Sequence, residues 1–275
     1  MSETLIALTL FAALLHATWN ALLHGGTDKL WSMTIMCIAI ALASGAIALF
    51  LPLPARASWK YALLSALLHV GYNLCLVRSY QSGELSQIYP VARGSSPLLI
   101  ACAAALFAHE KIALHTVGGI ALISAGILML AVRTRGLRGS GICPALVTGA
   151  FIAAYSVADG MGVRLSGNAL SYTVWMSALW GVLMPAVYIL LRGHKNLLRW
   201  RPDLLSAAAG GLVSLLAYGI IIYAMARSPM GAVSALRETS VLFVAAIGYW
   251  FFGEALTVRK IVACAVIVTG TLLIS

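Results

Sequence analysis

The sequence predicts an all-α polytopic membrane protein, with ten transmembrane helices arranged as two inverted five-helix repeats. Composition is the first reason. Hydrophobic residues make up 61% of the 275 and charged residues 9%, against roughly 25% charge in a soluble domain, so the apolar surplus must face lipid. Segment length is the second. Apolar runs at 4–23, 31–51, 58–80, 86–107, 115–132, 142–163, 169–191, 204–226, 231–252 and 258–274 each suit the roughly 17–25 residues that cross a bilayer. Internal repetition is the third. Arg93 and Arg237, Glu110 and Glu254, and Gly126 and Gly270 all recur at an offset of 144 residues.

The repeat boundary falls in the basic, glycine-rich stretch TRGLRGSG (134–141), which leaves 1–133 and 142–275 as the two copies. Runs three to five match runs eight to ten. Tyr72 falls on Tyr218 at an offset of 146, and runs one and two match six and seven more weakly at 139, laying Asn20 on Asp159. Five crossings per copy is an odd number, so the second copy must enter the bilayer inverted. Inverted repeats are a construction of secondary transporters, with the substrate held near the midplane where the repeats meet. Connections are short, the longest being RGHKNLLRWRPD (192–203), and none has room for a soluble domain.

Charge and cysteine content narrow the function classes. Net charge is +10, but the basic residues are dispersed between apolar runs. Topology and anionic headgroups account for them, and nucleic acid is not expected as a partner. Cys37, Cys75, Cys102, Cys143 and Cys264 stand singly, without a CxxC pair, so neither a disulfide framework nor a zinc site is signalled. The opening MSET lacks the basic region of a cleaved leader. Lys and Arg other than Arg93 and Arg237 divide eleven to five between alternate connections and the run ends beside them, which by the positive-inside rule sets both termini outside the cytoplasm.

Candidate functional residues are the polar groups inside apolar runs. Arg93 lies in QIYPVARGSSPL (87–98), about 11 Å into its run at 1.5 Å per residue, and Arg237 lies at similar depth in GAVSALRETSVLF (231–243). Arginine at membrane depth costs at least ~2.5 kcal/mol and so faces protein or a wet cavity. Two readings stand: both guanidinium groups fork onto a substrate carboxylate or phosphate, or they pair internally and fix the repeats. Tyr89 is taken with them as a contact, and Pro90 and Pro97 as sources of local helix irregularity. Glu238, next to Arg237, is expected to find its partner on another span, because successive helical residues point about 100° apart.

His16-Ala-Thr-Trp19-Asn20 and His69-Val-Gly-Tyr72-Asn73 share the pattern H-x-x-aromatic-N, which sets imidazole, ring and amide on one helix face. Such a stripe suits a partly wet cavity, or interhelical packing. Two histidines without carboxylate or thiolate companions are no metal set, and no cofactor is implied. Asp159, the only aspartate inside a run, either titrates with transport or pairs with an arginine. An aspartyl protease would need a second such aspartate, and Asp28 and Asp203 lie in connections. Gly118, Gly119, Gly126, Gly149, Gly160, Gly162, Gly210, Gly211 and Gly270 are expected at close helix contacts. Trp175, Trp180, Tyr218 and Tyr223 could line a cavity or pack against lipid. Glu110 and Glu254 are expected to serve the positive end of the helix that follows each.

HATWN (16–20), YPVARGSSP (89–97), LRETS (236–240) and the glutamates closing the fourth and ninth runs resemble the drug/metabolite transporter superfamily, in its ten-span EamA-type group. The resemblance covers nearly the whole chain as two EamA-like repeats. It implies a carrier in the inner membrane, most often an exporter of amino acids or other small metabolites, with a central cavity between the two bundles. It also implies cytoplasmic termini, against the charge count. The first run has His16 and Asn20 where small four-span relatives carry an embedded glutamate, so their proton–cation exchange does not transfer. On this reading Arg93, Arg237, His16, Trp19, Asn20, Tyr72, Asn73 and Tyr89 contact a carboxylate-bearing, amino-acid-like solute, with Asp159 and Glu238 for proton coupling or ion pairing. An importer on the same fold is the first alternative. An intramembrane enzyme would need a nucleophile–base pair, and a sensor an output domain. Substrate and lipid are the expected partners, with a homodimer left open.

Overall fold

In the computed structural model the described residues are 1–81, 85–131, 139–197, 201–252 and 257–274, with side chains described except at 79–81, 85–90, 131, 139–142, 144, 244, 247, 248 and 250–252. The helices are α1 (Glu3–Gly25), α2 (Lys29–Ala48), α3 (Trp59–Gln81), α4 (Leu85–Phe107), α5 (Leu114–Ala131), α6 (Gly139–Leu165), α7 (Ala169–Arg192), the single turn α8 (His194–Leu197), α9 (Leu204–Met225), α10 (Met230–Glu238), α11 (Ser240–Phe252) and α12 (Val258–Ile274). Six segments, including α1, α2, α7 and α9, are long and apolar enough to cross a membrane, and Val91–Phe107 and Leu114–Leu130 are shorter apolar helices. Starts are set by side-chain caps: Ser2 Oγ, Asp28 Oδ1 and Asn168 Oδ1 accept from the amides of Leu5, Trp31 and Ser171, each satisfying one of a helix's orphan donors.

Two expectations about helix regularity are corrected. The run at 231–252 is not one helix: it breaks at Thr239, whose amide and Oγ1 both donate to Leu236 O, at 3.2 and 2.6 Å. This three-residue closure ends α10 and leaves Arg237 in its last turn, where a cation suits the negative helix end. α4, by contrast, runs unbroken through Pro90 and Pro97. Pro97 has no N–H to give Arg93 O, and Ser96 Oγ donates to that carbonyl instead, at 3.2 Å.

Helix packing follows a paired scheme. α1 packs on α9 and α3 on α6; α2 on α9 and α3 on α7; α4 on α6 and α1 on α10 and α11; α2 meets α7 and α5 meets α12. Where α5 crosses α12, a Cβ on Gly126 would meet Ala263 O at 3.0 Å, and one on Gly270 would meet Gly119 O at 2.7 Å. Only small residues allow that backbone approach. Gly118 is different: nothing lies within 4 Å of its Cβ direction, so the expected close contact is absent there.

The helix ends are tied across the fold. Asp28 accepts from Arg192 at 2.6 Å and Arg201 at 3.2 Å, joining the α1–α2 turn to the α7–α9 connection. Thr27 donates to Asp203 through both amide and hydroxyl at 3.0 Å. Burial pushes the Asp203 carboxyl up, but those donors and the Arg201 charge prevail and hold it below its usual value. Glu110 pairs with Arg164 at 2.5 Å and accepts from the amide of Met230 at 3.0 Å. It therefore serves the N-terminus of α10 rather than that of the helix following it. Glu254 lies outside the described residues.

Candidate functional site

A cavity opens between α1, α2, α3, α6, α7, α9 and α10, with about 600 Å³ of free space counting its mouth. Its enclosed part is about 40 Å³, room for a few water molecules. Its wall includes His16 and Trp19 from α1, Tyr72 and Asn73 from α3, and Arg237 from α10, five of the residues expected there. His69, the first member of the second stripe, lines it as well. Its ring is stacked between Tyr155 (centroids 4.0 Å apart, planes at 30°) and Trp180 (5.1 Å, 27°), with the edge of Tyr218 at 5.2 Å. Tyr155 had no place in the sequence reading. The 139-residue offset that lays Asn20 on Asp159 also lays His16 on Tyr155, and that was the available signal. Of the undecided aromatics, Trp180 and Tyr218 line the cavity. Trp175 instead packs on Trp59, with centroids 5.5 Å apart, and Tyr223 is exposed beneath Arg227.

Beside the wall lies a buried charge cluster. Glu238 Oε2 accepts from Arg93 Nη1 at 2.6 Å, while Oε1 accepts from Arg237 Nη2 at 3.0 Å and Nε at 3.2 Å. All three residues are buried, at 4% exposure or less. Glu238 thus takes the partner expected on another span and its sequence neighbour as well, because the long Arg237 side chain folds back over the helix end. The two arginines are not equivalent. Arg93 stands behind the wall, and its Nη2 also contacts His16 Nε2. Arg237 reaches the cavity, and its Nη1 is engaged by no described residue.

His16 is held between donors. Trp19 Nε1 donates to its Nδ1 at 3.2 Å while Arg93 Nη2 faces its Nε2. An imidazolium would set N–H against N–H on both sides, whereas the neutral ring offers a lone pair to one of the two donors, so the neutral form leaves fewer clashes. Asn20 does not reach the wall: its Nδ2 donates to His16 O one turn back, at 2.8 Å. Asn73 Nδ2 points to Cys37 Sγ at 3.7 Å. The side chain of Tyr89 lies outside the described residues.

Asp159 is fully buried on α6. Its carboxylate accepts from Tyr172 OH at 3.0 Å and Tyr218 OH at 2.5 Å, and no ion pair reaches it among the described residues. Of the two alternatives for it, the arginine pair is not formed among the described residues, and two neutral phenols stand there instead. Tyr218 spans the gap, with its ring in the cavity wall and its hydroxyl on Asp159. Among the described residues no cluster of three His, Cys, Asp or Glu side chains could hold a metal.

A model of the EamA-like transporter family matches residues 4–132 and 139–275. The chain belongs to that family. It is accordingly a secondary transporter of the drug/metabolite transporter superfamily and a multi-pass helical membrane protein. One solved crystal structure, described only as that of a protein, is similar with a TM-score of 0.70 at 20% identity, covering 99% of this chain and 96% of the other. At that identity it supports the fold alone. The comparison with curated proteins gives no match.

Proposed function

We propose that this transporter exports a small, carboxylate-bearing, amino-acid-like metabolite across the inner membrane by alternating access. Ten crossings in two inverted repeats, 1–133 and 142–275, joined by the basic segment 134–141, would form the carrier. Two observations support the repeat reading. Exchanging α1, α2, α3, α4 and α5 for α6, α7, α9, α10 with α11, and α12 leaves the largest contacts between the two halves in place. The 144-residue offset also turns the Gly126–Ala263 contact into the Gly270–Gly119 contact.

The substrate class rests on Arg237. Among the described residues this buried cluster holds two guanidinium groups and one carboxylate, one anion fewer than its cations, and burying uncompensated charge costs several kcal/mol. Arg237, whose Nη1 has no hydrogen-bond partner among the described residues, lines the cavity. A substrate carboxylate there would supply the missing charge, and the rings of Trp19, Tyr72 and Tyr155 would hold the apolar part. Arg93 is assigned a positioning role, holding Glu238 and, through His16, the edge of Trp19.

Labelled amino acids and organic acids in proteoliposomes test this reading. Wild type is expected to move a carboxylated solute. Arg237→Gln should abolish that flux, and Arg93→Gln should raise KM more than it lowers kcat. Carboxylate flux that survives Arg237→Gln unchanged would remove the basis for the proposed site.

A further inference from the structure

We propose that a monoanionic carboxylate crosses together with one proton carried on Asp159, whereas a zwitterion of the same skeleton crosses without one. This rests on the Arg237 site reading and concerns how the carrier's interior stays neutral.

Among the described residues, four side chains with formal charge are buried among the interior helices: Arg93, Arg237, Glu238 and Asp159. With both acids ionised the +1 of the arginine cluster and the −1 of Asp159, which stands outside it, sum to zero, and His16 adds nothing in its neutral form, the one with fewer N–H clashes. A bound monoanion shifts the interior to −1. A zwitterion leaves it unchanged. In a low-dielectric interior the first case favours uptake of a proton.

Geometry selects the group that takes it. Both oxygens of Glu238 face guanidinium donors that cannot give up their protons, so a hydrogen on either oxygen would oppose an N–H. Asp159 faces hydroxyls: Tyr172 from α7 and Tyr218 from α9. Ser65 from α3 also stands beside it. Each hydroxyl can accept as well as donate, so a protonated Asp159 can donate to Tyr218 Oη without leaving a clash. Other groups nearby are Tyr155 on the same helix and His69 of α3, which lies against the Tyr218 ring. Arg93 on α4 and Arg237 and Glu238 on α10 make no ion pair with Asp159. Tyr218 connects the two events, because its ring lines the cavity while its hydroxyl holds the carboxylate.

The coupled step balances: one proton from the entry side adds to an Asp159 oxygen as one carboxylate binds, and both leave on the other side. Transport is electroneutral, and one pH unit can sustain up to about a tenfold solute gradient. Direction then follows the larger of the proton and solute gradients, so export would require internal accumulation beyond that ratio.

Phenyllactate and phenylalanine form the matched probe pair, one a monoanion and the other a zwitterion on the same aromatic skeleton. In proteoliposomes of the full chain, an acid-outside gradient should drive phenyllactate accumulation of up to about tenfold per pH unit, with alkalinisation of the medium. Phenylalanine flux should ignore the gradient. Asp159→Asn should still perform phenyllactate counterflow but lose pH-driven accumulation, and it should bind phenyllactate more tightly, because its interior is fixed at +1. Tyr218→Phe, which keeps the ring, should displace the pH profile of phenyllactate uptake and leave that of phenylalanine flat. A purely structural role would change both solutes alike. Arg237-dependent phenyllactate flux without proton movement, or pH-driven accumulation persisting in Asp159→Asn, overturns the coupling alone. If neither solute moves, or if Arg237→Gln transports both normally, the site reading fails and the coupling fails with it.

Discussion

Replacing Glu238 by Gln tests the charge cluster most directly. The change removes one negative charge from between two buried guanidinium groups and is nearly isosteric. The amide oxygen can still accept from Arg237, but the amide NH2 then faces Arg93 Nη1, now 2.6 Å from the carboxylate. Removing one partner of a buried pair costs about 3–5 kcal/mol, because it leaves charge uncompensated. The cluster goes from one surplus positive charge to two, so the upper part of that range is expected. Equilibrium unfolding in mixed micelles would read the loss. The double variant Arg93→Gln/Glu238→Gln returns the cluster to a single surplus charge, as in wild type. It should therefore be more stable than the sum of the single effects by at least ~1 kcal/mol, within the range measured for directly coupled residues. A Glu238→Gln protein within about 0.5 kcal/mol of wild type, or strictly additive effects, would refute the claim that the carboxylate neutralises these arginines.

Three further outcomes are expected. Gly270→Ala should destabilise by about 1–3 kcal/mol through overpacking, since its Cβ would stand 2.7 Å from Gly119 O, whereas Gly118→Ala, in open space, should be neutral or slightly stabilising; the same unfolding assay separates them. Glu110→Ala should cost more than Glu110→Gln, because alanine loses both the Arg164 pair and the cap on Met230 N while glutamine keeps an acceptor for the amide; a charged hydrogen bond is worth about 1.5–3 kcal/mol, and equal losses would show that the cap contributes nothing. Asp28→Ala removes the α2 cap and the Arg192 and Arg201 contacts together. Amide exchange near 28–31 should rise about five- to thirtyfold for a cap of ~1–2 kcal/mol, with exchange in α5 unchanged.

What the sequence disclosed were the polar groups that an apolar run cannot tolerate without reason. Arg93, Arg237, Glu238 and Asp159 stand out on that ground alone, and all four are buried in the structure. The H-x-x-aromatic-N stripes were legible by helical spacing, and His16, Trp19, His69, Tyr72 and Asn73 reach the cavity. Competition among nearby partners was not legible. Asn20 shares the stripe but spends its amide on His16 O, a choice that spacing does not reveal. Arg93 and Arg237 are equivalent by offset, yet only Arg237 reaches the cavity. The break at Thr239 has no Pro or Gly to announce it and depends on a local hydroxyl bond to Leu236 O. Trp180 and Tyr218 could not be told from lipid-facing aromatics, because hydropathy is the same on either side of such a helix.

In the proposed two-repeat architecture the acids mark where the two halves stop being alike, and the packing explains one of the differences. The 144-residue offset sets Glu238 against Gly94. A Cβ at Gly94 would stand 2.8 Å from Leu128 Cγ and 3.2 Å from Ser124 O, so α4 admits no carboxylate where α10 has one. The 139-residue offset likewise sets Asp159 against Asn20, an amide already bonded within its own helix. A scaffold with two matching acids would balance its arginines completely and leave no charge for a substrate to complete. With a single Glu238 shared by two arginines and Asp159 held by phenols, the proposed site has room for one further anion, and among the described residues Asp159 has no guanidinium partner. On this reading the capacity to bind a carboxylate comes from the departures from two-fold symmetry, while the symmetric part of the sequence supplies the helices that hold them.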